Sequence, residues 1–193
     1  MTGETIRCIL PYISREEEET LQKRNDLATR RIAVAAVFMA MNIILSSFSI
    51  PVPGGHLYLC DVVICLAAIL LNPFEAFVAA GVGSFLGDMI FYPAPMFVSL
   101  ATHGLQGIVI SLISHRVLQS RPKLASGIAV SVGLVILVVG YTLGRAYVYS
   151  TPEAALLKLP FEVLQGLVGA VLGMLLCWRC GIRKTYLKMM GRE

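Results

Sequence analysis

Three pairs of polar residues lie at helical spacing inside runs that are otherwise apolar: His103 with Gln106, Glu162 with Gln165, and Tyr141 with Arg145. Residues three or four apart share one face of a helix, so each pair points its polar groups the same way. Together they offer an acid, an imidazole, two amides, a phenol and a guanidinium. That set provides directional hydrogen bonds, charge and a ring to stack on, which is the chemistry of holding a small polar molecule. Asp61, Asp88 and Tyr58 stand near the same ends of the apolar runs and join the candidate set. Ionisable groups are costly inside a bilayer and mark functional sites there. Each has a plainer reading too. Asp61 suits the N-cap of a helix, Asp88 can pair with Arg145 or bond backbone at a turn, and single glutamines often bond across helices. Tyr141 can simply pack with its hydroxyl at the interface.

The elements that must carry these groups are membrane helices. The 193 residues are 56% hydrophobic and 15% charged, with a mean hydropathy of +0.75, whereas soluble domains carry about 25% charge. Five cysteines, an odd number scattered mostly in apolar runs, argue for free thiols rather than a disulfide framework. Cys177 and Cys180 form a lone CxxC, for which no metal or redox role is assigned. The net charge of +4 comes from the flanks and loops, so nucleic acid is not the expected partner.

Residues 1–31 read as a polar cytosolic tail with an acidic run at Glu16–Glu19 and a short helix capped by Ser14. No cleavable leader is expected, because the first apolar run begins near Ile32 behind this charged tail. Residues 32–181 read as a membrane domain of six apolar segments, 32–49, 57–71, 74–92, 96–117, 124–148 and 160–181. The second is short for a span of about 20 residues. Asn72-Pro73 and the Tyr92–Pro95 turn break the middle segments apart. Residues 182–193 read as a basic cytosolic tail. Lys and Arg gather in the N-terminal tail, the 115–123 loop and the C-terminal tail, while the 46–58 loop and the Pro93–Pro95 turn have none. The expected fold is therefore an all-α integral membrane protein of six transmembrane helices with both termini cytosolic. Only the 145–160 loop breaks the pattern, with Arg145 and Lys158.

With that orientation the polar residues collect in the outer leaflet. His103 and Gln106 lie roughly 10–15 Å in from the outer end of the fourth span, at about 1.5 Å per residue. Asp61, Asp88, Tyr141, Arg145, Glu162 and Gln165 also fall on the outer side, and the cytosolic halves hold almost none. A ligand cavity open to the outer face and floored by apolar helices follows. Small-xxx-small pairs at Gly83/Gly87, Gly140/Gly144 and Gly169/Gly173 let helices close up. Ala36 and Ala40 make a similar pair on the first span, free to face another protein.

Several stretches, in this order and spacing, resemble a known family: AVFMA with Ala36 and Ala40, HLYLCDVVICLAAILLNPFEAFVAAGVGSFLGD, THGLQG, and PFEVLQGLVGAVLG. The chain is similar to the substrate-binding S components of energy-coupling factor (ECF) vitamin transporters, closest to the riboflavin-, hydroxymethylpyrimidine- and pyridoxine-type branch. The resemblance covers about residues 30–181. It implies a six-helix fold with the vitamin near the outer face, and outer loops acting as a lid. It also implies docking of Ala36 and Ala40 on a transmembrane coupling subunit driven by two cytosolic ATPases. Where the family has a KGLEG-like run, this chain has His103 and Gln106 in place of the lysine and the glutamate.

The expected function is capture of a small water-soluble vitamin or precursor, pyrimidine- or pyridine-type, at the outer face of a bacterial plasma membrane, without chemistry on it. His103, Gln106, Glu162 and Gln165 supply the hydrogen bonds, Tyr141 and Tyr58 stack on a ring, and Gly54-Gly55 lets the first loop fold over. No catalytic residue, metal or cofactor is assigned to the chain. It lacks a GxxxxGK[ST] loop, so ATP is used by the partners. Two other classes stay open. A stand-alone secondary carrier would usually show internal repeats with broken helices. An intramembrane serine hydrolase would use Ser84 with His103 as base.

Overall fold

The computed structural model describes residues 3–191. A single helix, α1, runs from Gly3 to Ser46, so the N-terminal tail is helical well before Ser14, whose side chain lies outside the described residues. Its membrane half buries Ala35, Phe38, Asn42 and Ser46, a stripe at intervals of three and four. Ala36 and Ala40 point away from the bundle and are exposed.

Between the first two helices the chain makes a β-hairpin, the one departure from an all-helical fold among the described residues. Strand β1 (Ser49–Val52) pairs antiparallel with β2 (Gly55–Tyr58) in the register Ser49↔Tyr58 and Val52↔Gly55. Pro53-Gly54 turns the hairpin, and the φ of +80° at Gly54 is what the second central residue of a type II turn needs. Hairpin closure takes residues 57 and 58 out of the second apolar segment.

What remains of that segment is α2, Cys60–Leu70. Its 11 residues rise about 16 Å, well short of a bilayer core. Every one of them except Val62 is buried, which explains why the segment is apolar all round. Pro73–Phe91 forms one rod in three parts: α3 (Pro73–Phe77), a π-helical turn (Val78–Val82) and α4 (Gly83–Phe91). Asn72 and Glu75 close a reciprocal capping box at its start. The π turn frees backbone carbonyls from regular pairing. Asn42 of α1 answers them, its amide donating to the carbonyls of Ala79 (2.9 Å) and Ala80 (3.1 Å) and to Ser84 Oγ (3.1 Å).

Helix α5 spans Met96–Arg116 and α6 Pro122–Gly144, the latter ending in a second π turn, Arg145–Tyr149. Helix α7 begins at Pro152, eight residues before the expected start, and runs through Pro160 to Trp178. Thr151 caps it by accepting from the Ala154 N–H. Gly181, at φ +73°, turns the chain into the short amphipathic α8, Ile182–Met189. Among the described residues, five helices are long and apolar enough to cross a membrane; α2 is shorter. Cys60, Cys65, Cys177 and Cys180 are free thiols, and the Cys8 side chain lies outside the described residues.

Helices meet where side chains vanish. Gly83 and Gly87 face α1, Gly140 and Gly144 face α5, and Gly169 and Gly173 face α2. At the tightest backbone contact, a Cβ on Gly81 would sit 2.8 Å from the Cα of Gly104. Replacing Gly81 with Ala therefore forces two backbones apart, and overpacking of this kind costs about 1–3 kcal/mol. We expect Gly81→Ala to lower the melting temperature of the detergent-purified protein. Gly127→Ala, where nothing lies within 4 Å, should leave it unchanged or raise it.

Candidate functional site

Polar side chains from α2, α4, α5, α6 and α7 converge under the hairpin, at the end of the bundle away from α8. They wall a narrow cavity of about 30 Å³, nearly filled by its own side chains. Tyr58, Asp88, His103, Tyr141, Arg145, Glu162 and Gln165 all line it. Gln106 and Asp61 stand directly behind that wall. Beyond them the interior is apolar, with Cys65, Leu66, Ile69, Leu70, Leu71, Ala76 and Ile110 packed into one cluster.

Three linked groups build the wall. On one side Asp88 accepts a short hydrogen bond from the Ser99 hydroxyl, which in turn meets Tyr141 Oη at 2.5 Å. The Tyr141 ring meets the His103 ring edge-on, centroids 5.3 Å apart. In the middle, Gln165 bridges the hairpin and the core. Its oxygen accepts from the Tyr58 N–H (3.0 Å) and its amide nitrogen donates to Asp61 Oδ2 (2.6 Å). His103 Nδ1 donates to Gln106 Oε1 at 2.8 Å. Asp61 Oδ1 lies 3.9 Å from that nitrogen and has no hydrogen-bond partner, although the residue is only 1% exposed.

The third group is ionic. Glu162 Oε1 receives Lys158 Nζ at 2.9 Å and Arg145 Nη2 at 3.2 Å. Arg145 reaches further, donating from Nη1 to the Gly54 carbonyl at 2.8 Å and lying over the Tyr149 ring. One guanidinium thus ties the hairpin tip to the acid of α7. Lys158 and Glu162 are each 2% exposed. In the hairpin, burial ahead of the nearby Asp88 charge pushes the Tyr58 hydroxyl above the usual phenol range, so it stays neutral.

Three expectations change. Asp61 is not an N-cap: α2 starts after Leu59 with no side-chain cap, and Asp61 turns inward to Gln165. Asp88 pairs with Ser99, leaving Arg145 to Glu162. Lys158, expected in a loop, is on α7 one turn before Glu162 and inside the cavity wall. Its signal was in the sequence, since Arg145 and Lys158 were the two cations that broke the charge rule. His56, Tyr92 and Tyr149 also line the cavity and carried no such signal. Ser84 accepts from Asn42 while His103 Nδ1 is engaged by Gln106, so the two do not make a nucleophile–base pair through that nitrogen. Among the described residues one group has metal-ligand spacing, Cys60, Asp61 and His103, with ligand atoms within 4.8 Å of one another. Two of its three members already hold hydrogen bonds to glutamine side chains.

The sequence profile of a family described as "ECF-type riboflavin transporter, S component" matches residues 26–181. A protein of Pyrococcus woesei described as "uncharacterized protein in gap 3' region" is 30% identical over 126 residues, 64% of this chain and 82% of that one.

The Gln165 bridge makes a stability prediction. Gln165→Leu strands the buried Asp61 carboxylate, and an unsatisfied buried polar group costs about 1–3 kcal/mol. In thermal melts the Gln165→Leu, Asp61→Leu double variant should lose less than the sum of the two singles. Additive losses would mean the two side chains are not coupled.

Proposed function

The chain belongs to the ECF-type riboflavin transporter S component family, and from that premise we propose that it captures a small water-soluble vitamin or precursor, pyrimidine- or pyridine-type, from the outer face. The family is one of membrane transport proteins for vitamin uptake, and it is not an enzyme family. The observation that carries the reading is the hairpin-covered cavity, walled by His103, Tyr141, Arg145, Glu162 and Gln165 and floored by apolar side chains. Such a cup binds from one side and offers no polar path through.

In this reading α1, α2, the Pro73–Phe91 rod, α5, α6 and α7 are the six spans, with α2 sunk among the others and both termini cytosolic. The chain is a multi-pass protein of the plasma membrane, bacterial in the family reading. His103, Gln106, Glu162 and Gln165 supply hydrogen bonds, directly or through the neighbour each holds. Tyr141 and Tyr58 flank a flat ring, and Asp61, Asp88 and Arg145 set charge and position. Buried groups of this kind discriminate strongly, because a wrong ligand leaves them unpaired.

Arg145 gives the cup a lid. The hairpin rests against α7, where a Cβ on Gly54 would lie 2.9 Å from the Ala154 carbonyl. Its tip is held by one charge-assisted bond from Arg145. Releasing that bond opens the mouth; remaking it over the ligand closes it. Energy comes from outside the chain: Ala36 and Ala40, exposed on α1, meet a transmembrane coupling subunit driven by two cytosolic ATPases.

Two measurements separate capture from coupling. Purified protein should bind a B-vitamin-like compound by isothermal calorimetry, and His103→Ala and Glu162→Ala should weaken it at least tenfold; unchanged binding in both would defeat the site. Ala36→Trp and Ala40→Trp should leave binding intact and abolish uptake in cells that supply the energising module. Full uptake by those variants would move the docking face elsewhere.

A further inference from the structure

The ionic group at the cavity wall has N–H donors left over. Two cations, Lys158 and Arg145, share one oxygen of one carboxylate, Glu162. All three side chains are at least nine-tenths buried, with exposures of 2%, 8% and 2%. The other two acids of the site lie apart from this group, hydrogen-bonded to neutral partners: Asp88 to Ser99, and Asp61 to Gln165. Lys158 has three N–H donors, of which one is used on Glu162, and Arg145 has five, spread over Glu162 and Gly54. Lys158, Arg145 and Glu162 all face the cavity.

The opposite wall has the complementary character. Asp88, Ser99 and Tyr141 form a chain of oxygens, with the His103 ring edge-on to Tyr141. That side asks for donors, and the Lys158–Arg145 side asks for an anion. The cavity is therefore dipolar across its width.

We propose that the molecule captured here carries an anionic group, carboxylate or phosphate, which seats against Lys158 and Arg145, with its ring or amine donors toward the Asp88–Ser99–Tyr141 oxygens. This rests on the capture reading and narrows it to acids. The arriving anion takes up the unused donors of Lys158 and Arg145, and by competing for Arg145 it also loosens that residue's grip on the Gly54 carbonyl. Seating the acid and moving the hairpin are thus one event.

The test uses the full-length protein in detergent and matched pairs that differ at the acidic group. Nicotinate with nicotinamide and pantothenate with panthenol probe a carboxylate; flavin mononucleotide with riboflavin and pyridoxal 5'-phosphate with pyridoxal probe a phosphate. Calorimetry is paired with mass spectrometry of whatever co-purifies. The acid of at least one pair should bind tenfold or more tightly than its neutral mate. Lys158→Met and Arg145→Gln should each bring that tenfold ratio of acid to neutral affinity toward one; an unchanged ratio in both overturns the anion seat. Thermal melts check that each variant folds, and Lys158→Arg, which keeps the cation, should retain the preference; its loss there too would overturn the role of charge. A neutral compound bound equally well or better, or a neutral compound co-purifying, overturns the acid inference and leaves capture standing. No binding in any pair and nothing co-purified overturns both.

Discussion

A charged side chain removed from water must find its partners within the protein, and here that constraint is concentrated on Glu162. Its carboxylate holds Lys158 from one turn earlier on α7 and Arg145 from the π turn after α6. Arg145 then carries the contact on to the hairpin tip. The interaction that makes burial tolerable therefore also fixes the hairpin tip. Breaking such a cluster by removing one member leaves an uncompensated buried charge, which is far more damaging than replacing the whole.

The same logic shapes the neighbouring structure. A π turn would leave carbonyls unanswered in a bilayer, where each unpaired backbone group is costly, and Asn42 reaches from α1 to pair two of them. The hairpin's inner strand is fixed to the core by Gln165, which passes the contact on to Asp61. These bonds need helices close enough for short side chains to touch. Glycines at the crossings provide that, as where Gly169 and Gly173 lie against Asp61 and Cys65 of α2. Close packing and polar pairing are one requirement, since a satisfied buried network also specifies a single arrangement.

Much of this was legible in the residues. Hydropathy located the apolar segments to within a few positions for the fourth, because Met96–Arg116 is bounded by a proline turn and a basic loop. Helical spacing correctly paired His103 with Gln106, which are hydrogen-bonded. Three features were hidden for physical reasons. The start of α7 was missed because Pro160 reads as a breaker, yet a helix in a bundle tolerates proline when neighbours re-satisfy the backbone. The hairpin was missed because its strands are four residues each, too short for an alternating pattern to register. Asn42 was missed because nothing local predicts that a π turn 37 residues later will need its amide. Asp61 had the right local setting for a cap, and the partner that drew it inward, Gln165, is 104 residues away.

The central claim is that one cavity under the hairpin is the binding site, and it is tested most directly by a cryo-electron microscopy map of the ligand-loaded protein in a lipid nanodisc. The account predicts ligand density between Tyr141, His103 and Glu162, with the hairpin closed above it. Density for the ligand at any other place, with that cavity filled only by its own side chains, would contradict it.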